Sequence, residues 1–271
     1  MVNEIWLVSR ELGGWAEAGG IKDVVSDQAN SFPKIGWQTH VVLPLYGFLQ
    51  DRVKQMGQQI WTGHSAHPTR AVALAAWVIQ DGNHTLHFLE SPSFHDKMSL
   101  YTYTAQEEKK EPAHTRGEGY ADGFIMNLEF QWAVATYWAE SNIAPSYVLG
   151  HDGHSGFLAS LARLHPRFGI RFQSTTFGLL IHNAGPGYRQ EMKVTDFHED
   201  LIGLSASQTS AFILDHHYDP CVAAAEFLGR PLADDDIDEP AVIQACFHRL
   251  REQMQTAHRR LYAERRFPVV G

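Results

Sequence analysis

The sequence has few cysteines, no long apolar run and no excess of positive charge. Only Cys221 and Cys246 occur in 271 residues, which fits a reducing compartment better than a small secreted domain held by disulfides. No apolar stretch approaches the roughly 20 residues of a membrane-spanning helix. The first residues, MVNEIW, lack the basic and apolar regions of a signal peptide. We therefore expect a cytoplasmic protein without a membrane partner.

The charge balance argues against nucleic acid as a partner. The chain has 22 Lys and Arg residues against 31 Asp and Glu residues, a formal net charge of -9 at pH 7. A protein of that sign is repelled by a phosphate backbone. Histidine is frequent, with 16 residues, so a metal site is considered below.

Short apolar runs predict a sheet. They have the length and composition of strands buried on both faces, as in a parallel sheet. Helical patterns at 22–32, 124–140 and 156–164 lie between some of them. This alternation favours an α/β fold with a Rossmann-like, doubly wound, mainly parallel sheet. The runs are Ile5–Val8, Thr39–Leu43, Ala75–Ile79, Leu86–Leu89, Tyr147–Leu149 and Thr175–Ile181.

The domain boundaries follow from where this pattern fades. We assign residues 1–230 to the sheet domain and expect an exposed polar insertion at about 98–121. Residues 231–271 begin with an acidic loop, which includes ADDDIDEP, and continue with an amphipathic helix that we expect to pack on the domain. The sequence shows no internal repeat and no low-complexity linker.

The loop after the first strand is a candidate ligand site, because ligands of doubly wound sheets bind beyond the carboxyl ends of the strands. This loop contains Glu11, Trp15 and the pair Gly19 and Gly20, and it opens a helix. Glycine lets the backbone approach a ligand, and a helix N-terminus presents free N–H groups to an anion. The loop therefore predicts a phosphate cradle, and Trp15 is positioned to stack on a sugar ring.

Two more polar loops are expected at the same edge of the sheet. His151 and Asp152 follow the fifth predicted strand, and His182 and Asn183 follow the sixth. A histidine there can donate a hydrogen bond to a substrate hydroxyl or phosphate, and Asp152 can cap the following helix. Three polar loops that converge on one edge indicate a binding site more strongly than any one of them.

A metal site is the alternative interpretation of the histidines. His151 and His154 have a spacing that suits two ligands on one helical turn, and Asp152, His182 or the pair at 216–217 would complete the site. The chain would then be a metal-dependent hydrolase. The helix-start position of His151 is explained without a metal, so we expect neither a metal nor a cofactor.

Five motifs follow one another over roughly residues 3–185. They are RELGGWAEAGGIKDV at 10–24, VVLPLYG at 41–47, FLESPSF at 88–94, HDGHSG at 151–156 and LIHN at 180–183. In this order they resemble S-E-x-x-P-F-x-K-T-G-G-L-x-D-V, V-V-L-P-x-Y-G, F-L-x-x-P-x-x-F, H-D-W-H-x-G and T-x-H-N. These are motifs of the N-terminal catalytic domain of bacterial glycogen synthases and plant starch synthases, glycosyltransferase family 5 with the GT-B fold.

The resemblance implies a role in the retaining transfer of glucose from ADP-glucose or UDP-glucose to an α-1,4-glucan. Carried over by motif, Gly19 and Gly20 approach the donor diphosphate and His151 lies beside the transferred glucose. Asp122, just before the long helical pattern, resembles the aspartate of the family's D-N-x-x-R-F element. Glu17 stands where the family has a lysine that neutralises donor phosphate.

Two departures from the family shape the expectation. No second strand–helix series follows the matched region, so we expect a separate or missing C-terminal domain to complete the cleft and the chain alone to be inactive. A carboxylate at Glu17 repels a diphosphate. The second hypothesis is therefore a non-catalytic module that kept the fold and binds glucan or a nucleotide sugar.

Overall fold

The computed structural model describes residues 4–182, 190–196, 199–214, 216–225 and 227. The predictions for Asn183 and for residues 231–271 lie outside these described residues. No helix within the described part is both long and apolar enough to cross a bilayer.

A seven-stranded sheet forms the centre of the fold, with the spatial order β3-β4-β5-β2-β1-β6-β7. β1 runs parallel to both of its neighbours, β2 and β6, and the pairs β2–β5 and β6–β7 are also parallel. β4 is antiparallel to β3 and to β5. The strands are β1 (Glu4–Val8), β2 (Gln38–Pro44), β3 (Gln58–His64), β4 (Ala73–Asp81), β5 (His84–Glu90), β6 (Tyr147–His151) and β7 (Thr176–Leu180).

The predicted strands are all present, and the fold class is confirmed as mixed α/β with a mostly parallel sheet. Within this seven-stranded sheet, β3 is the strand that the apolar runs do not reveal. It lies at one edge of the sheet and is largely exposed, so its sequence, QQIWTGH, carries no continuous apolar run.

The helices are α1 (Ile21–Ser31), α2 (Gln50–Met56), α3 (Ala105–Lys110), α4 (Gly123–Glu140) and α5 (Leu158–Leu164). Three of them, α1, α4 and α5, were predicted from their periodicity. After β7 the described chain forms short elements: β8 (Met192–Lys193), α6 (Glu199–Ile202), α7 (Ala206–Thr209), β9 (Ile213–Leu214), β10 (His217–Tyr218) and α8 (Pro220–Ala225). β8, β10 and β9 form a small antiparallel sheet in that order.

The long helix α4 is the main support of the sheet. Every residue from Met126 to Trp138 is buried, as expected of a helix covered on all sides. The Trp132 indole donates a 3.0 Å hydrogen bond to the carbonyl of Ile202, so the segment after β7 covers the outer side of this helix. α4 therefore joins the sheet to the C-terminal part of the described chain.

A chain of buried aromatic and imidazole rings links α4 to the sheet. The rings of Trp6 and His40 stack at 4.2 Å. His40 Nδ1 lies 2.9 Å from His87 Nε2, and His87 Nδ1 lies 3.1 Å from the Tyr137 hydroxyl. Burial lowers the pKa of His40 to about 4, and burial together with His40 lowers the pKa of His87 to about 3. Both imidazoles are therefore neutral in the folded protein at pH 7.

The segment 98–121, which the sequence predicts to be an exposed insertion, has many exposed residues but also packs on the protein. Leu100, Tyr103 and Tyr120 are buried, and α3 within this segment begins with a capping box formed by Thr104 and Glu107. Aromatic residues interspersed among polar ones let the segment pack one side on the protein while its charged side faces solvent. It is therefore an ordered wall, and we call residues 98–121 the wall segment.

Strand order places the candidate site. β1 lies inside the sheet, with β2 on one side and β6 on the other. The connection from β1 leads through α1 to β2, whereas the chain reaches β6 later, on the opposite side. The crevice beyond the carboxyl ends of β1 and β6 is thus the point where the strand order reverses, which is where ligands of such sheets bind.

Candidate functional site

A cavity of about 450 Å³ opens at this point. Its volume lies within the ordinary range of small-molecule sites. The structure therefore brings the three predicted polar loops together around one space, with the wall segment at its side. The lining residues are Glu11, Ala18, Gly19, Gly20, Ile21, Tyr101, Asp152 and His182.

The glycine loop begins with a tight turn that orients Glu17. Leu12 and Ala16 exchange two backbone hydrogen bonds of 2.9 Å, and Gly14 at the turn has a φ of +79°, a conformation that favours glycine. The amide of Gly14 donates to Oε1 of Glu17 at 2.5 Å. The Glu17 carboxylate is therefore folded back onto its own turn and does not line the cavity.

Glu11 holds the second half of the loop. Its side chain is buried, with the residue 1 % exposed. Oε2 accepts hydrogen bonds from the amides of Gly19 at 2.8 Å and Ala18 at 3.3 Å, and Oε1 accepts one of 2.5 Å from the Tyr101 hydroxyl. Burial is the largest cause that raises the pKa of Tyr101, and Glu11 raises it further, so the phenol keeps its proton and donates it to the carboxylate.

The backbone conformation at Gly19 and Gly20 does not require glycine. Gly20 has a φ of −79°, and a Cβ added there would meet nothing within 4 Å. A Cβ on Gly19 would make only an ordinary contact, 3.5 Å from Glu11 Oε1. The missing side chains therefore leave space in the cavity, which is what close approach of a ligand to the backbone needs.

Arg10 supports this arrangement from inside the protein. Its Nε donates to the Tyr46 hydroxyl at 2.7 Å, one terminal nitrogen donates to Asn127 Oδ1 at 2.9 Å, and the other donates to the carbonyl of Leu100. The guanidinium carbon lies 4.8 Å from the centroid of the Tyr101 ring, a cation–π distance. A buried positive charge thus lies behind the tyrosine that holds Glu11.

The loops after β6 and β7 are fastened to each other. Asp152 has a φ of +56°, and its amide donates to the carbonyl of Leu180 at 2.8 Å. Its Oδ1 accepts a 2.6 Å hydrogen bond from the amide of His182. The expected helix cap is therefore wrong, because the Asp152 side chain makes no capping bond to the following turn and instead holds the end of β7.

His151 lies behind His182 rather than in the cavity. His151 is 2 % exposed, whereas His182 is exposed and lines the cavity. His151 Nδ1 lies 2.9 Å from His182 Nε2, and the two rings stack with an angle of 10°. Burial, and then His182, lower the pKa of His151 to about 3, so it is a neutral ring that positions its neighbour.

The metal alternative gains no support from the geometry. His151 already shares Nδ1 with His182. Burial and the nearby Arg10 lower the pKa of His154 well below its usual range, and a metal cation beside that guanidinium would be repelled. Within the residues that the structure describes, no group of three or more His, Cys, Asp or Glu side chains is arranged to hold a metal.

Trp15 is not brought to the cavity. Its ring is 7 % exposed and packs 5.0 Å from Phe88, with the Arg52 guanidinium 3.7 Å above it. The indole nitrogen donates to Asp81 Oδ2 at 3.1 Å. Trp15 thus fastens the start of the glycine loop to the sheet, and we leave it out of the proposed site.

Asp122 also lies apart from the lining residues. Lys97 Nζ is 3.0 Å and 2.9 Å from its two carboxylate oxygens. The lysine side chain is buried at 8 % exposure, whereas Asp122 is 43 % exposed. The pair joins the residue before the wall segment to the residue that precedes α4.

Sequence reasoning missed Tyr101 and Arg10. Tyr101 falls in a segment that its charges marked as exposed, although the alternation YTYT at 101–104 is a signal for a half-buried stretch. Arg10 stands where the compared motif has serine, and no local pattern indicates that it is buried.

Comparison with known proteins places the fold. Residues 4–227 match the protein family described as "Starch synthase catalytic domain". The catalytic domain of starch synthase IV from Arabidopsis thaliana, solved bound to ADP and acarbose, superposes with a TM-score of 0.64 at 18 % identity, over 84 % of this chain and 44 % of that one.

Curated relatives are similar over the same region. A glycogen synthase from Photobacterium profundum is 23 % identical over 183 residues, which are 67 % of this chain and 33 % of the relative. Glycogen synthase 1 from Synechocystis is 24 % identical over 157 residues, 57 % of this chain and 28 % of the relative. The matched part of the chain thus spans about a third of the length of these relatives.

Proposed function

Because the chain belongs to the starch synthase catalytic domain family, we propose that it is the N-terminal half of a glucosyltransferase. It contributes to the transfer of glucose, with retention, from ADP-glucose or UDP-glucose to an α-1,4-glucan.

The observation that carries this proposal is the cavity at the strand-order reversal. It combines open space above Gly19 and Gly20 with the exposed imidazole of His182, while the buried side chains of Glu11 and Asp152 hold the loops around it. An imidazole can hydrogen-bond a sugar hydroxyl, and a site held rigidly before the substrate arrives favours the transition state. Glu11 and Asp152 are both fixed by hydrogen bonds within the chain.

A second domain is part of the proposal. The matched region spans about a third of the glycogen synthases compared. We propose that a separate or further C-terminal domain closes over the cavity and that the described half alone does not turn over efficiently. The cytoplasmic location stays a prediction.

The test is an assay of glucose transfer to glycogen or maltotetraose. ADP-glucose and UDP-glucose are supplied separately, and the chain is tested alone and together with the product of the adjacent downstream gene. Transfer that depends on the chain supports the proposal, and a His182→Ala variant with unchanged thermal stability should lower it. If no mixture transfers glucose while glucan binding is measurable, the enzyme assignment is wrong.

A non-catalytic glucan-binding module is the second candidate, and one observation favours it. Glu17 occupies the position of the family's phosphate-binding lysine, and its carboxylate is held by Gly14. Such a module binds maltotetraose in the same cavity without consuming a nucleotide sugar, so the assay above separates the two functions.

A further inference from the structure

Arg10 is a buried cation that is held by neutral groups. The residue is 4 % exposed, and its guanidinium keeps its charge in a protein. Among the described residues, none of the ion pairs includes Arg10. Burying an ion without an opposite charge beside it is costly. Its position therefore calls for a role besides stability.

The three hydrogen bonds of Arg10 reach three separate parts of the fold. Arg10 itself lies two residues beyond β1. Its donors reach the Tyr46 hydroxyl just after β2, the Asn127 side chain on α4 and the Leu100 carbonyl in the wall segment. A guanidinium is planar and its donors point in fixed directions, so it fixes these three parts relative to the end of β1.

One branch of this network leads to the glycine loop. The guanidinium carbon lies 4.8 Å from the centroid of the Tyr101 ring, next to Leu100 in the chain. The Tyr101 hydroxyl donates to Glu11, and Glu11 accepts the amides of Ala18 and Gly19. Arg10 thus supports the face of the ring whose hydroxyl holds the loop.

A second branch leads to the chain after β7. Asn127 Oδ1 accepts the hydrogen bond from Arg10, and Asn127 Nδ2 donates to Gln190 Oε1 at 2.5 Å. Gln190 lies eight positions after the lining residue His182. One side chain therefore joins the surroundings of the cavity on two sides, without lining the cavity itself.

A second buried arginine shows what a local structural role looks like. Arg163, on α5, is 8 % exposed, and its hydrogen bonds cross only 9, 10 and 12 positions of the chain. They close the turn before β7, with the carbonyls of Phe172, Gln173 and Thr175 as acceptors. The bonds of Arg10 cross 36, 117 and 90 positions.

We infer that Arg10 is a positioning residue of the candidate site, which holds the glycine loop, the wall segment and the chain after β7 in one arrangement. Its effect on glucose transfer rests on the proposed function, whereas the positioning itself does not. Lysine cannot replace it, because a single ammonium lacks the planar fork that reaches three acceptors at once.

The test is hydrogen–deuterium exchange of the full chain, followed by mass spectrometry. Arg10→Lys keeps the charge and removes the fork. We expect the amides of Ala18 and Gly19 to exchange at least tenfold faster in this variant. The matched control Arg163→Lys should leave them unchanged and affect only the turn before β7. Urea denaturation of both variants gives the exchange that passes through complete unfolding, which is subtracted.

Glucose transfer gives a second measurement. Arg10→Lys should lower kcat/KM at least tenfold, and Arg163→Lys less than twofold. If the unmodified chain transfers no glucose in any mixture while the exchange changes as expected, the proposed function is wrong and the positioning role is supported.

Two exchange results would overturn the inference. One is unchanged exchange of the glycine loop in Arg10→Lys, and the other is an equal increase in Arg163→Lys. If Arg10→Lys does not fold, Tyr46→Phe decides, because it removes one acceptor of Arg10 and keeps the ring. Exchange of the Ala18 and Gly19 amides should then rise at least threefold, and no rise contradicts the inference.

Discussion

The hydroxyl of Tyr101 donates a 2.5 Å hydrogen bond to Oε1 of Glu11, residues 90 positions apart in the chain. Through this bond the wall segment holds the carboxylate that in turn holds the amide of Gly19. The shape of the glycine loop therefore depends on a segment that lies far from it in sequence.

Replacing Tyr101 by phenylalanine tests this dependence. Tyr101→Phe leaves the buried Glu11 without one hydrogen bond, so we expect the free energy of unfolding to fall by about 1–2 kcal/mol. Maltotetraose affinity should fall as well, because the loop loses its fixed position. Urea denaturation and calorimetry measure the two effects.

Tyr147→Phe is the matched control for Tyr101→Phe. Tyr147 packs on Trp37 and does not line the cavity, so removing its hydroxyl should change stability by less than about 0.5 kcal/mol. Equal effects of the two substitutions would show that the bond to Glu11 has no special role.

Asp122 is predicted to act on stability rather than on transfer. Asp122→Ala leaves the buried ammonium of Lys97 with only the longer 3.8 Å contact to Asp96, and a poorly compensated buried charge is costly. Since Asp122 itself is 43 % exposed, we expect a loss of about 2 kcal/mol, below the value for a fully buried pair. Urea denaturation measures it.

The double variant Lys97→Met with Asp122→Ala separates the two roles of Asp122. It removes the buried ammonium of Lys97 together with its carboxylate partner, so it should recover part of the lost free energy of unfolding. A catalytic aspartate would behave differently: glucose transfer would be abolished in Asp122→Ala while the unfolding curve stayed unchanged.

Local sequence patterns were sufficient for much of the fold and for part of the site. The buried strands β1, β2 and β6 are continuous apolar runs, and the strand ends locate Glu11, Asp152 and His182 without further information. The edge strand β3 lacks such a run because most of its side chains face solvent.

The partners of the site residues could not be predicted in the same way. The hydrogen bond from the Gly19 amide is accepted by Glu11, 8 positions away in the chain. The ring that covers His151 belongs to His182, 31 positions away. The sequence pattern does not distinguish His151 from His182, since each lies at or just beyond the carboxyl end of a strand. Only the packing of β6 beside β7 makes one of them a buried support and the other an exposed lining residue.

The buried histidines predict that the protein loses stability in mild acid. His40, His87 and His151 have pKa values of about 4, 3 and 3, below the value of about 6.5 in an unfolded chain. Below about pH 6.5 the unfolded state binds more protons than the folded state, so the free energy of unfolding decreases as the pH falls. Above that pH these histidines are neutral in both states, so their titration does not change the free energy of unfolding.

Urea denaturation at several pH values between 7.5 and 4.5 measures this effect. Each neutral histidine contributes at most about 1.4 kcal/mol per pH unit. His182 faces His151, and Glu4 Oε1 lies 3.4 Å from His40 Nε2. Because His87→Gln removes one buried imidazole, it should reduce the dependence of the free energy of unfolding on pH relative to the unmodified chain. An unchanged pH dependence would show that His87 is not the group being titrated.

Restoring the family's lysine should not restore a phosphate site. Glu17 is exposed and hydrogen-bonded to the Gly14 amide, whereas Glu11 occupies the amides of Gly19 and Ala18. Glu17→Lys leaves Glu11 where it is, so we expect pyrophosphate affinity to change less than threefold in calorimetry. Glu111→Lys makes the same charge change on an exposed site of the wall segment and controls for net charge. A rise of tenfold or more with Glu17→Lys, absent from Glu111→Lys, would mean that position 17 does reach the phosphate and that Glu11 yields to it.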